Sequence, residues 1–219
     1  MTRISALLTL CRSKMRESRG HNAATAAMNA KVLVFPVPES DVGLITALRA
    51  GHADAVRLLC ERHSLYLKRV AARVLGPDAA LSHVVAEALR HALHSVDQLA
   101  EPRALRTWLV CRLMAVVRRR LRARQRWYWA HPLNTTVPWR DGLPWSDQLV
   151  ATYRVLDRLS VDQRIAFCLM TIQSMGLAET AMVLGVPLGQ ARSTFHKACK
   201  RFNRYSRNEI SIQSRRLCG

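Results

Sequence analysis

From Asp41 onward, apolar residues recur at steps of three and four. This is the period of an amphipathic helix, and no stretch shows the two-residue alternation of a half-buried strand. Leu44, Ile45 and Leu48 form a short set closed by Gly51. Val56, Leu59, Cys60, His63, Tyr66, Leu67, Val70 and Val74 mark one buried face of a helix from about Ala53 to Leu75. Gly76, Pro77 and Asp78 stop it. A third helix is predicted from about Ala80 to Gln98, with Leu81, Val84, Val85, Ala88, Leu89 and Ala92 inward. A fourth opens at Pro102, a residue suited to a first helical turn, and buries Leu105, Trp108, Leu109, Leu113, Val116 and Val117.

The period lapses between His131 and Pro144, where three prolines and a glycine read as a linker. Trp139 and Trp145 suggest that it docks on a surface. Leu149, Val150, Tyr153, Leu156 and Leu159 then restore a helical face. Ser160 and Gln163 have the spacing of a capping box, which opens a helix carrying Ile165, Ala166, Cys168, Leu169 and Ile172.

Residues Leu177–Lys200 read as two short helices joined by a tight turn. Gly185 supplies a residue tolerant of positive φ, and Pro187 presets the next helix. Ala181 lets two crossing helices approach, while Thr180, Leu184, Val186, Ala191 and Thr194 take inward positions. The second helix shows Gln190, Arg192, Ser193, His196, Lys197, Lys200 and Arg201. This is the pattern of a helix-turn-helix, whose second helix enters a DNA major groove. An ordinary helical hairpin in an all-α core would share the apolar spacing. The predicted fold is all-α, with two small helical domains joined by a linker. A basic leader expected to be disordered spans 1–38, the first domain 39–129, the linker 130–147, the helix-turn-helix domain 148–206 and a basic tail 207–219. Met28 is an alternative start.

Charge sharpens this picture. Of 219 residues, 34 are Lys or Arg and 15 are Asp or Glu, giving a net +19, which favours a polyanionic partner such as nucleic acid. Arg103, Arg106, Arg112, Arg118, Arg119, Arg120, Arg122, Arg124 and Arg126 crowd the fourth helix, and no acid occurs between Glu101 and Asp141. Trp127, Tyr128 and Trp129 follow at once. Arginines beside aromatics suit single-stranded nucleic acid, since phosphates pair with charge and bases stack on rings. A solvated helix end with its aromatics folded inward is the competing reading.

The chemistry of catalysis is not visible. The chain has no GxGxxG, Walker, HExxH or GxSxG motif, so no enzymatic activity and no cofactor are expected. The six cysteines form no CxxC and read as reduced thiols of a cytoplasmic protein. His91 and His94 could both face a metal, yet no Cys or acid completes a ligand set, and solvated histidines are the expectation. No apolar run is long enough to cross a membrane.

Asp54, Leu59, Arg62, His63, Tyr66, Ala71, Arg73, Leu75 and Gly76, followed by Leu105 to Leu109 and the arginine-rich helix, form one recognisable block. Val155 to Leu159, Asp162 to Arg164, Leu177 to Ala181, Leu184 to Pro187 and then Ala191, Ser193, His196 and Ala198 form a second. In this order the chain resembles the extracytoplasmic-function (ECF) group of bacterial RNA polymerase sigma factors. The resemblance implies promoter DNA and core RNA polymerase as partners, with an anti-sigma factor as a further candidate. It implies that Gln190, Arg192, Ser193, His196, Lys197, Lys200 and Arg201 meet the −35 element. Arg103, Trp108, Arg118, Arg119 and Arg122 would meet the −10 region, where the Ser95–Arg103 loop would help capture a flipped base. Val84, Val85, Glu87 and Ala88 would face the polymerase. Glu87 is the one acid in a stretch, Ala80–Glu87, where the family is acid-rich. A sigma-derived regulator that does not initiate transcription, or a basic protein- or RNA-interaction module, are the alternative readings.

Overall fold

The computed structural model describes residues 40–76, 78–130 and 147–217, all helices and connections, with no strand among them. The expected leader, the Met28 start and the linker residues with Trp139 and Trp145 lie outside the described residues. The helices are α1 (Asp41–Arg49), α2 (Ala53–Leu75), α3 (Leu81–His94), α4 (Leu105–Ala130), α5 (Asp147–Asp157), α6 (Val161–Phe167), α7 (Leu177–Leu184) and α8 (Leu188–Leu217). Short 3₁₀ turns at Val96–Gln98 and Pro102–Ala104 join α3 to α4, and a π-helical turn at Cys168–Ile172 ends α6.

The boundaries follow from local chemistry. Ser40 caps α1 by accepting the Gly43 amide at 3.2 Å. Gly76 ends α2 at φ +87°, donating its N–H to Ala72 O. The predicted capping box closes α6: the Gln163 amide donates to Ser160 Oγ at 3.4 Å and the Ser160 amide to Gln163 Oε1 at 3.5 Å.

Helices α1–α4 pack on one another through α2, α3 and α4, and α5–α8 pack around α6 and α8. Helix α4 also meets α6 and α7, and α2 meets the π turn. One apolar cluster therefore runs from Leu44 and Ile45, through Leu105, Leu113 and Leu121, to Leu156, Ile165 and Ala198. Cys60, Cys111, Cys168 and Cys199 are free thiols. Burial pushes the Cys168 thiol up to about 12, which keeps it protonated and inert. His91 lies near Glu87 at 3.6 Å and His94 Nδ1 contacts Arg90 O, so both histidines have protein partners.

Candidate nucleic-acid interface

The turn between α7 and α8 is built by Gly185, which sits in the left-handed region at φ 69°, ψ 36° and donates to Ala181 O and Met182 O. The Val186 amide also reaches Ala181 O, at 3.1 Å. At the other end of α7, Glu179 Oε2 accepts the Gly176 amide at 3.1 Å. Thr180, Ala181, Ala191 and Ala198 are buried, so small side chains line the crossing of α7 with α8 and its neighbours. The opposite face of α8 presents Gln190, Arg192, Ser193, His196, Lys197, Lys200 and Arg201 to solvent. All seven of these positions are cationic, neutral-polar or switchable donors over about three turns, the composition that reads base edges and phosphates. Arg201 is also held by Gln163 Oε1 at 3.0 Å, which orients it beside the α6 cap.

Helix α4 carries the second set. Arg103, Arg119, Arg122 and Arg126 are exposed, whereas Trp108 is half-buried with the Arg112 guanidinium 5.0 Å from its ring centre. The arginines are less unbalanced than the local sequence suggests. Arg120 and Arg124 reach Asp78 at 2.9 and 3.3 Å, Arg119 pairs with Glu87, and Arg118 meets Asp162 at 3.0 Å. The acids come from other elements, so a stretch without acids is not a surface without them. Arg106 stacks 4.0 Å over the Tyr66 ring, and Arg112 donates to Gln98 Oε1.

One expectation is corrected. Val84, Val85 and Ala88 do not face outward: each is at most 1% exposed, on the apolar stripe of α3 against α2 and α4. The helical period had placed them inside, and that reading holds over the role implied by resemblance. Glu87 alone of the four reaches the surface. Burial opposes its ionisation, but the hydrogen bond and charge of Arg119, with His91 beside it, hold its carboxyl below the usual range.

Residues 59–127 match the Sigma-70 region 2 family. The ECF RNA polymerase sigma factor SigM of Mycobacterium tuberculosis is 29% identical over 171 residues, covering 75% of this chain and 84% of that one. In both comparisons the chain is similar to sigma factors. Two solved structures share its fold. CnrH in complex with the cytosolic domain of CnrY covers 74% of the chain and 94% of its own length, at 22% identity and a TM-score of 0.54. The sigma factor RpoE in complex with the anti-sigma factor NepR from Bartonella quintana covers 68% and 94%, at 20% identity and 0.53. Among the described residues, no helix is long and apolar enough to cross a membrane.

The fold also uses a residue that the apolar period passes over. In the sequence Arg164 stands only in the segment Asp162 to Arg164 that carries the family resemblance. It falls three positions after Val161 and four before Cys168, on the apolar stripe of α6, and is 2% exposed. An arginine on an apolar stripe was the available signal of a buried polar contact.

Proposed function

We propose that this chain reads promoters with two hands. Residues 148–206 act as the upstream hand, with α8 in the major groove of the −35 element. Gln190, Arg192, Ser193 and Lys197 contact base edges and adjacent phosphates, while His196, Lys200 and Arg201 position the helix. Residues 39–129 act as the downstream hand on the −10 element. Arg103, Trp108 and the arginines Arg118, Arg119 and Arg122 hold the opened strand, with the Ser95–Arg103 connection beside them. Core RNA polymerase binds the outward face of α3 around Glu87, and residues 130–147 connect the hands. An anti-sigma factor is the regulatory partner suggested by the solved structure of RpoE with the anti-sigma factor NepR.

The observation that carries the reading is the exposed basic face of α8 behind the Gly185 turn, on the same chain as the arginine ridge of α4. Sixteen residues separate Ala130 from Asp147, a length that can reach about 55 Å when extended. The test is run-off transcription with purified core polymerase on genomic promoter fragments. A promoter-specific transcript that is lost in Arg192→Ala and Lys197→Ala supports the proposal. Absence of any transcript, or a transcript indifferent to both substitutions, sinks it.

A further inference from the structure

Helix α8 runs for 30 residues to Leu217, well past the seven positions assigned to the −35 element. Ser193, Lys197, Lys200, Arg204 and Arg207 follow one another at steps of four and three, and all five are exposed. Such steps put side chains on one face of a helix. From Ser193 to Arg207 the row is about 21 Å long. The inward face has the same spacing. Ala191 and Ala198 are buried, and Phe195, Phe202 and Tyr205 pack partly against the core.

The turns after Lys200 are held by their own contacts. The Phe202 ring stacks on Phe167 of α6 at 4.4 Å. The Arg158 guanidinium of α5 lies 5.7 Å from the centre of the Tyr205 ring. Arg204 lies 5.0 Å from the same ring and donates from Nη2 to Tyr205 Oη at 3.2 Å. A guanidinium has five N–H donors, so the others remain for a further acceptor.

The two basic helices differ in what balances them. On α4, Arg118, Arg119, Arg120 and Arg124 each meet a carboxylate. On α8, no carboxylate among the described residues pairs with Lys197, Lys200 or Arg204. The sequence has no acid between Glu179 and Glu209. Cations in such a row repel one another, and a strand carrying a phosphate about every 3.4 Å relieves that repulsion.

We infer that α8 makes a second duplex contact beyond its groove-reading turns: Arg204 and Arg207, with Lys200, lie along the phosphate strand that borders the groove. This rests on the reading of α8 as the helix in the major groove. The amino-terminal residues of such a helix meet base edges. A straight helix cannot follow a groove that winds around the duplex, so its later turns come up against the groove's edge. Tyr205 fixes the Arg204 guanidinium before DNA arrives, so less side-chain freedom is lost on binding. The contact adds affinity and orients α8 without adding sequence preference.

The experiment uses the full chain and a labelled duplex of about 25 base pairs with arbitrary sequence, because phosphate contacts need no promoter. Fluorescence anisotropy between about 50 and 200 mM salt compares the wild type with Arg204→Gln, Arg207→Gln and the two combined. The control combines Arg57→Gln with Arg69→Gln, two exposed positions on α2 that lose the same charge. Circular dichroism confirms retained helix. Each α8 substitution should lower the salt slope by about 0.9 and the pair by about 1.8, with several-fold weaker binding. The α2 pair should keep the wild-type slope. Arg204→Lys keeps the charge and should restore most of the slope. Equal losses in the α8 and α2 pairs, or an unchanged slope in the α8 pair, would make the row a solvated face and overturn the contact. Failure of run-off transcription, by contrast, counts against the promoter-reading proposal and leaves these slopes intact.

Discussion

Asp78 illustrates how single residues set the geometry of the basic helix. Its side chain is 11% exposed, accepts the Ala80 amide at 2.8 Å and lies between Arg120 and Arg124. Burial opposes its ionisation, but the Arg120 hydrogen bond, the Ala80 amide and the charges of both arginines outweigh it and hold its carboxyl below the ordinary range. With the folded value below the unfolded one, the stabilisation is complete above the unfolded carboxylate pKa. It is lost as pH falls through the folded value. Asp78→Asn is therefore expected to lower stability by about 1.5–3 kcal/mol at pH 7, the worth of hydrogen bonds to a charged group. It should also flatten the decline in stability below pH ~4, leaving the contribution of Glu87. Urea denaturation of both proteins at pH 7 and pH 3 checks this; an equal difference at the two pH values would rule it out. Nothing local in the sequence linked Asp78 to partners 42 and 46 positions away. Charge runs describe neighbours in the chain, and these neighbours meet only after α2, α3 and α4 pack.

At the scale of elements, the α7–turn–α8 unit was legible because each of its requirements is local. The αL residue, the proline after it and the small residues at the crossing all fall within 22 positions, about the length of the stretch Leu177–Ala198. Gly185→Ala tests the backbone requirement in isolation, because a Cβ there would meet nothing within 4 Å. The expected loss is about 1 kcal/mol from the left-handed conformation, and less for Gly185→Asn. Thermal unfolding of the three proteins checks the order, and equal stability of Ala and Gly would refute it. For function, Arg192→Ala and Lys197→Ala are each expected to weaken duplex binding and to lower the salt slope by about 0.9, the share of one phosphate contact. A loss of affinity with an unchanged slope would instead assign the residue to base edges. Helix α3 gives the opposite lesson. Its period placed Val84, Val85 and Ala88 inside correctly, while a role carried over by resemblance put them outside. Burial is fixed by spacing on the helix, whereas a partner's footprint depends on which face the rest of the fold leaves open.

Across the whole molecule, the helical period was legible in the sequence and the contacts of α2 and α4 with the later helices were not. Arg164 contacts the Leu75 and Val74 carbonyls, 89 and 90 positions away, and no periodicity reports such a contact. What these contacts imply for folding can be measured. The apolar cluster is continuous from α1 to α8, so the chain should melt as one cooperative unit, with calorimetric and van't Hoff enthalpies equal. Arg164→Gln with Tyr153→Phe removes polar donors that tie α2 to α5 and α6 and leaves the apolar cluster in place. The transition should then move to lower temperature and stay single. If the wild type already melts in two steps, the α1–α4 and α5–α8 helices do not stabilise each other. If the variant melts at the wild-type temperature, the donors have no energetic weight and the apolar cluster alone joins these helices.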